Sequence, residues 1–168
     1  MAVGTAVARL DGEGLRLVAR TASGHAIVMD SAEGGSGPRP AELLLVAQAG
    51  CTGMDVVSIL RKKRQAFTSY EVRVAGEQRT DPPPHVFERI RIVHVVEGPV
   101  DPEALRRAIE LSATKYCTVT GNLAAGVAEI EHAYLLRMAD GDERYAKVAV
   151  TGPFASVPGN AVAGASGP

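Results

Sequence analysis

The chain has 168 residues, 46% of them hydrophobic, and its 19 acidic residues nearly balance 18 basic ones, which gives a net charge of −1. This length suits one domain with a core of its own. The balanced charge, the absence of Trp and a 4% aromatic content exclude the basic or base-stacking surfaces that bind nucleic acid. We therefore expect no nucleic-acid partner.

The start of the chain lacks the charged segment and long apolar run of a signal peptide. No stretch reaches the ~18 consecutive apolar residues of a membrane span. A cytoplasmic protein with no membrane partner is the simplest expectation.

Three short strands followed by a loop are expected before the first helix. Segments 2–10 and 14–20 are predicted as short strands on either side of a turn at residues 11–14, and segment 24–30 is predicted as a third strand. The Gly- and Ser-rich run that follows has the composition of a loop and ends where the first helix begins.

The longest helix-compatible run extends from Pro40 to Arg64. Pro suits a first helical position because it has no N–H to leave unpaired, and the basic residues 61–64 suit the helix C-terminus. Apolar side chains cover most of the circumference, so we expect a helix that is buried in a core or an interface, and one too short and interrupted to span a membrane. The helix also carries Cys51 beside a narrow polar stripe, formed by Gln48, Thr52, Asp55 and Lys62.

The second half of the chain predicts two long strands, further helices and a last core strand. Residues 68–79 and 85–97 alternate as strands and form an antiparallel hairpin, and Asp101 caps a helix that has Pro102 at its first position. A weaker helical piece is expected at 117–125, a strand at 126–136, an added strand at 145–150 and then a poorly ordered tail. Because strands and helices do not alternate regularly, the fold class is α+β.

The two cysteines, Cys51 and Cys117, cannot form a disulfide framework of the secreted kind. Residue chemistry alone favours packing over redox function for each of them. Cys51 lies mid-helix without exposed N–H groups, and the neighbouring Asp55 raises its thiol pKa, so a reactive Cys51 needs a cation. No C-x-x-C or H-x-x-x-H spacing is present, so no metal site is expected.

The local sequences add a family resemblance. Three features resemble the OsmC/Ohr family of thiol-dependent hydroperoxide reductases, in particular its YhfA-like branch. They are the run from Pro40 to Arg64, the second cysteine in LSATKYCTV, and the short motifs ASGH and MD within residues 22–30. The resemblance covers about residues 1–135. It implies an OsmC-like domain at 1–136 and a C-terminal extension at 137–168, which comprises a short strand and a Gly/Pro/Ala-rich tail.

The same resemblance implies an intertwined homodimer in which antiparallel sheets wrap around two long central helices. By position, Cys51 is the peroxidatic thiol and Cys117 the resolving thiol of an enzyme that reduces small organic hydroperoxides. Its pocket is lined by Leu and Met side chains, with Met54, Gln48 and Asp55 as candidates. An external dithiol or lipoyl-type reductant then restores the enzyme, with no bound cofactor.

Two departures from the family pattern concern activation of the thiol. Peroxidatic members carry Glu directly after the helix-start Pro, where this chain has Ala41 followed by Glu42, and they carry an Arg on a preceding strand that lacks one here. Arg39, His25 and Glu42 are the candidate replacements. The sequence therefore supports two hypotheses: a stress-response peroxidase, or a homodimeric binding module that keeps the fold with little or no catalysis.

Overall fold

The structure, a computed structural model, describes residues 4–127, 129–138 and 140–151. Its helices and strands fall into two units, which divide between Val46 and Ala47, inside the first helix. The elements, in chain order, are β1 Ala6–Leu10, β2 Leu17–Thr21, β3 Ala26–Met29, α1 Pro40–Lys62, β4 Ser69–Gln78, β5 Phe87–Glu97, α2 Pro102–Leu111, a π-helical turn Ser112–Tyr116, α3 Thr118–Leu123, β6 Glu129–Arg137 and β7 Glu143–Thr151.

The first unit is built on a three-stranded antiparallel sheet in the order β1–β2–β3. The three predicted strands are confirmed, although each is shorter than its predicted segment and residues 1–3 lie outside the described residues. Tight turns set these limits, because Gly12 and Gly24 adopt positive φ angles that favour glycine.

The second unit contains a four-stranded sheet in the order β4–β5–β6–β7. The predicted hairpin is confirmed, because β4 and β5 pair antiparallel over nearly their whole length. The α+β class is confirmed as well, but one pair departs from the expected antiparallel sheets. Strands β5 and β6 pair parallel, because the helical crossover between them returns the chain to the starting end of β5.

The C-terminal strand is longer than predicted. The sequence predicts residues 145–150, whereas β7 spans Glu143–Thr151 and pairs antiparallel with β6. The predicted tail beyond this strand lies outside the described residues. A domain boundary at residue 136 stays a prediction.

Helix α1 matches its predicted start and ends two residues early. With 23 residues and a mean hydropathy of 1.7 over 18 of them, it is long and apolar enough to cross a membrane, so the expectation that it is too short was wrong. One such helix is weak evidence for a span, because the core helix of a folded domain passes the same test. The expected absence of a membrane partner stays a prediction.

The core of the second unit lies between the sheet and the helices. Asp101 caps α2 as predicted, since its carboxylate accepts hydrogen bonds from the backbone N–H groups of Glu103 and Ala104. Apolar side chains of α1, α2 and the sheet then pack together, among them Val56, Leu60, Val96, Leu105, Ile109 and Leu136, all of them buried. This packing fixes α1 and α2 against the same face of the sheet.

Two histidines of this sheet are fully buried. Burial lowers the pKa of His94 to about 3 and the pKa of His132 to about 4, from an ordinary value of 6.5. The unfolded chain therefore binds more protons than the folded chain below about pH 6.5. The contribution of the two neutral histidines to the free energy of unfolding is therefore fully present above that pH, and it is lost as the pH falls toward 4.

We predict that His132→Gln flattens the pH dependence of stability. In the wild type, each buried histidine lowers the free energy of unfolding by up to about 1.4 kcal/mol per pH unit between pH 6.5 and pH 4. Urea unfolding at pH 7.5, 6.0 and 5.0 measures the slope. His85→Gln, at an exposed loop position, is the control and should keep the wild-type slope. Equal slopes for the wild type and His132→Gln would contradict the assignment.

Candidate active site

The site begins with the polar stripe of α1. Gln48 and Thr52 are fully buried and Asp55 is half-buried. These three residues of the stripe therefore face the interior of the second unit, whereas Lys62, its fourth residue, is exposed. Since Gln48, Thr52 and Asp55 are three or four residues apart, they lie above one another on one helix face.

The opposite wall is an irregular segment that follows α2. Here the chain forms a π-helical turn, in which the backbone N–H of Cys117 donates to the carbonyl oxygen of Ser112 at 2.9 Å. Cys117 then adopts an extended conformation and becomes the N-cap of α3. The wider turn changes the path of the chain and is the kind of irregularity that is common at functional sites.

The two cysteines meet between α1 and this segment. The sulfur atoms of Cys51 and Cys117 and a carboxylate oxygen of Asp55 all lie within 4.8 Å of one another. Both thiols are free; Cys117 is buried and Cys51 is half-buried. The fold thus brings together two cysteines that are 66 residues apart in the sequence, and a modest side-chain movement would allow their sulfurs to form a bond.

Backbone N–H groups at the start of α3 donate to both thiols. Thr120 donates to the sulfur of Cys117 at 3.3 Å, and a hydrogen bond from Val119 lowers the pKa of Cys51. The expectation that the mid-helix Cys51 receives no such donor was wrong. The donor comes from a different helix, which sequence spacing does not reveal.

The balance of forces on Cys51 nevertheless favours the neutral thiol. Burial raises the pKa of Cys51 most, the Val119 hydrogen bond opposes it, and Cys117 and Asp55 raise it further. The predicted direction of the Asp55 effect is confirmed. A thiolate at Cys51 therefore needs positive charge from another source.

A chain of hydrogen bonds runs from Asp55 into the core. The links join Asp55 Oδ2 to Ser112 Oγ at 2.9 Å, Ser112 Oγ to Thr52 Oγ1 at 3.0 Å, Thr52 Oγ1 to His94 Nε2 at 3.4 Å, and His94 Nδ1 to the hydroxyl of Tyr70 at 2.6 Å.

Donor and acceptor roles in this chain follow from its two ends. The Asp55 carboxylate only accepts, so Ser112 donates to it and must accept from Thr52. Thr52 then accepts from the Nε2–H of a neutral His94, and Nδ1 accepts from Tyr70, whose pKa is raised by burial. Every hydroxyl thus points its proton toward Asp55, which holds that carboxylate beside the thiols.

Gln48 is the second buried link between α1 and α3. Its Nε2 donates to Thr120 Oγ1 at 2.8 Å and approaches the sulfur of Cys117 at 3.7 Å. The Gln48 carbonyl oxygen is buried and has no hydrogen-bond partner within the described residues. The amide thus supplies Cys117 with a second N–H donor.

An open groove of about 560 Å³ adjoins the thiols through Asp55. Its lining combines apolar and basic side chains, comprising Asp55, Ser58, Ile59, Lys62, Lys63, Leu111 and Tyr116. Met54 is 72% exposed and does not line this groove. A role for Met54 in a pocket stays a prediction.

Comparison with known proteins assigns the fold. Residues 33–133 match the family of OsmC-like proteins. The chain is also 42% identical to Protein YhfA of Escherichia coli (strain K12) over 123 residues, which cover 73% of this chain and 90% of YhfA. The chain belongs to the OsmC-like family.

Solved structures agree with this assignment. A hypothetical protein from Aquifex aeolicus superposes with a TM-score of 0.73 at 30% identity, over 82% of this chain and 98% of that chain. An organic hydroperoxide resistance protein OsmC from Legionella pneumophila superposes with a TM-score of 0.56 at 12% identity, over 82% of this chain and 97% of that chain. The second likeness shows the fold alone.

The three predicted activators lie in the first unit. The Arg39 guanidinium pairs with the Glu42 carboxylate at 3.1 Å, and hydrogen bonds from Arg39 lower the pKa of Glu42. His25 is exposed in the turn between β2 and β3, where its Nδ1 lies 3.1 Å from Ser23 Oγ. Their roles toward Cys51 stay predictions.

Sequence reasoning missed the residues that the crossover brings to the site. The helical spacing of Leu105, Ala108, Ile109 and Ser112 predicts that Ser112 lies on the buried face of the helix after Asp101. Val119 and Thr120 fall in the weaker helical piece expected at 117–125. The available signal was Ser112 itself, since a hydroxyl on a buried helix face needs a partner. The identity of that partner depends on the π-helical turn, which no spacing rule predicts.

Proposed function

We propose that this OsmC-like protein is a thiol-dependent peroxidase that reduces small organic hydroperoxides, with Cys51 as the peroxidatic and Cys117 as the resolving cysteine. The observation that carries the proposal is the proximity of the two sulfurs, within 4.8 Å, with backbone N–H donors directed at both. Cys51 is the more accessible thiol, so it is the one that meets the peroxide.

The first step oxidises Cys51. Its thiolate attacks the distal peroxide oxygen, the O–O bond breaks, and the alkoxide leaving group takes up a proton to leave as an alcohol. Sulfur thereby loses two electrons and becomes a sulfenic acid. The Val119 N–H supports the thiolate in this step, and the groove beside Asp55 admits the organic part of the substrate.

The second step protects the oxidised sulfur. The Cys117 thiol attacks the sulfenic acid, a disulfide forms, and water leaves with the thiol proton. Hydrogen bonds from Thr120 and Gln48 to the Cys117 sulfur hold this sulfur in position for the attack. An external dithiol, such as a lipoyl group, then reduces the disulfide by exchange, so the cycle needs no bound cofactor.

The alternative function is a binding or stress-response module with little catalysis. One observation favours it: burial, Cys117 and Asp55 together raise the pKa of Cys51, which disfavours the reactive thiolate. The two functions differ in the reactivity of Cys51 toward peroxide.

We predict that substitution of each cysteine blocks a different step of the peroxidase cycle. Cys51→Ser should abolish turnover of cumene hydroperoxide with a dithiol reductant, because no sulfenic acid can form. Cys117→Ser should consume one equivalent of peroxide and accumulate a sulfenic acid that a dimedone probe labels and mass spectrometry detects. Peroxide turnover at the wild-type rate by Cys51→Ser would contradict the assignment of Cys51 as the peroxidatic cysteine. Circular dichroism of both variants controls for folding.

We also propose that the protein is a cytoplasmic homodimer that forms along α1. Only 28% of the most apolar window of this helix is buried within the chain, and Met54 exposes 72% of its surface. A helix that is apolar on nearly all sides needs a partner for its remaining faces. A second copy of the same helix supplies one.

We predict that Met54→Lys weakens or abolishes the dimer, because the charge would have to be buried unpaired at the interface. Sedimentation analysis over a range of protein concentrations measures the monomer fraction. Val86→Lys is the matched control, because Val86 is also an exposed apolar residue, at 41%, but lies outside α1. Wild-type mass for Met54→Lys at all concentrations would argue against an interface at this position.

A further inference from the structure

We infer that Cys51, Cys117 and Asp55 form a binding site for a thiophilic divalent cation of the zinc class. This inference goes beyond the proposed peroxidase activity. The sequence suggests no metal site, because neither cysteine belongs to a metal-binding spacing. The fold supplies a carboxylate as the third donor.

The donor geometry suits a tetrahedral ion. Zinc binds thiolates at about 2.3 Å and carboxylates at about 2.1 Å, so tetrahedral coordination places the sulfurs about 3.8 Å apart and each sulfur about 3.6 Å from the oxygen. The three donor atoms already lie within 4.8 Å of one another. A contraction of roughly 1 Å, which side-chain rotation can supply, closes the site and leaves a fourth position for water.

The surrounding hydrogen bonds are those that a thiolate-bound metal requires. The Cys117 sulfur receives Thr120 N–H and Gln48 Nε2, and the Cys51 sulfur receives Val119 N–H. Ser112 donates to Oδ2 of Asp55, which orients the carboxylate and occupies only one of its oxygens. Outer partners of this kind hold ligands in place and tune their basicity.

A buried polar group without a full set of hydrogen-bond partners lies beside the proposed donors. Gln48 is fully buried, and its carbonyl oxygen lacks a hydrogen-bond partner within the described residues. Its amide lies against the Cys117 sulfur. The Nε2 side of this amide is directed at the Cys117 sulfur, which is one of the three proposed donors.

Charge and protons also balance. Binding displaces one proton from each thiol, so two thiolates and one carboxylate surround a dication with a net charge of −1. Lys62 and Lys63 line the groove that Asp55 shares, and their charges offset this remainder. Two sulfur donors select against magnesium and calcium, and the carboxylate favours zinc over monovalent copper.

Metal binding and peroxide chemistry then exclude each other. A sulfur that donates its electron pair to zinc cannot attack a peroxide, and a Cys51–Cys117 disulfide cannot bind zinc. Zinc therefore protects the reduced thiols and inhibits turnover, and oxidation releases the ion. The proposal adds a metal-regulated state to the same three residues.

Titration of the chelator-treated, fully reduced full-length protein with Zn²⁺ tests the site. Calorimetry should give one ion per chain, about micromolar affinity or tighter, and release of about two protons. Titration with Cd²⁺ should produce the ultraviolet sulfur-to-metal charge-transfer band. Changes to outer partners alone weaken metal sites by roughly 10–100-fold, so Cys117→Ser and Asp55→Asn should each weaken binding by at least about tenfold.

Asp142→Asn is the control, because Asp142 is an exposed carboxylate away from the thiols, and it should bind as the wild type does. Zinc affinity that is unchanged in both Asp55→Asn and Cys117→Ser, or the lack of a cadmium–thiolate band, would overturn the site. Peroxide turnover by the metal-free protein is a separate readout. Loss of metal binding with intact turnover would remove this inference and leave the peroxidase proposal standing.

Discussion

The buried hydrogen bonds between α1 and the crossover are the constraint on which the site depends. Thr52 bonds to Ser112, and Gln48 bonds to Thr120. A buried polar group without a partner costs about 1–3 kcal/mol. A shift of α1 by one residue rotates its side chains by ~100° and would break both links. The polar stripe thus fixes the helix orientation that brings Cys51 to Cys117.

The same arrangement places opposing demands on the thiols. Burial and Asp55 raise the pKa of Cys51, whereas the N–H groups at the start of α3 favour a thiolate. Burial also limits the access of a second peroxide to the sulfenic acid, and the nearby Cys117 thiol can trap that acid as a disulfide. A site that holds two thiols and a carboxylate at this distance is therefore suited to peroxide reduction and to metal-controlled redox chemistry. A positive charge close to Cys51 would favour strong peroxide reactivity, and its absence would favour weak reactivity.

Much of the fold followed from the sequence, and the site followed in part. Local signals were sufficient for Pro40 at the start of α1, for the Asp101 cap and for the hairpin of β4 and β5, because each depends on neighbouring residues. The parallel pairing of β5 and β6 and the Val119 donor were not predictable, since both depend on how the crossover returns to the sheet. The buried stripe pointed to a site, but a helical pattern cannot say which distant residue meets each of its side chains.

The most direct test of the central claim is the intact mass of the reduced wild-type protein after one equivalent of cumene hydroperoxide, followed over time. We expect a rapid loss of two hydrogens and of both free thiols, with proteolytic mapping that joins Cys51 to Cys117. A mass that stays unchanged, or oxidation no faster than that of free cysteine, would contradict the peroxidase account. The binding-module function would then be the better description of this OsmC-like protein.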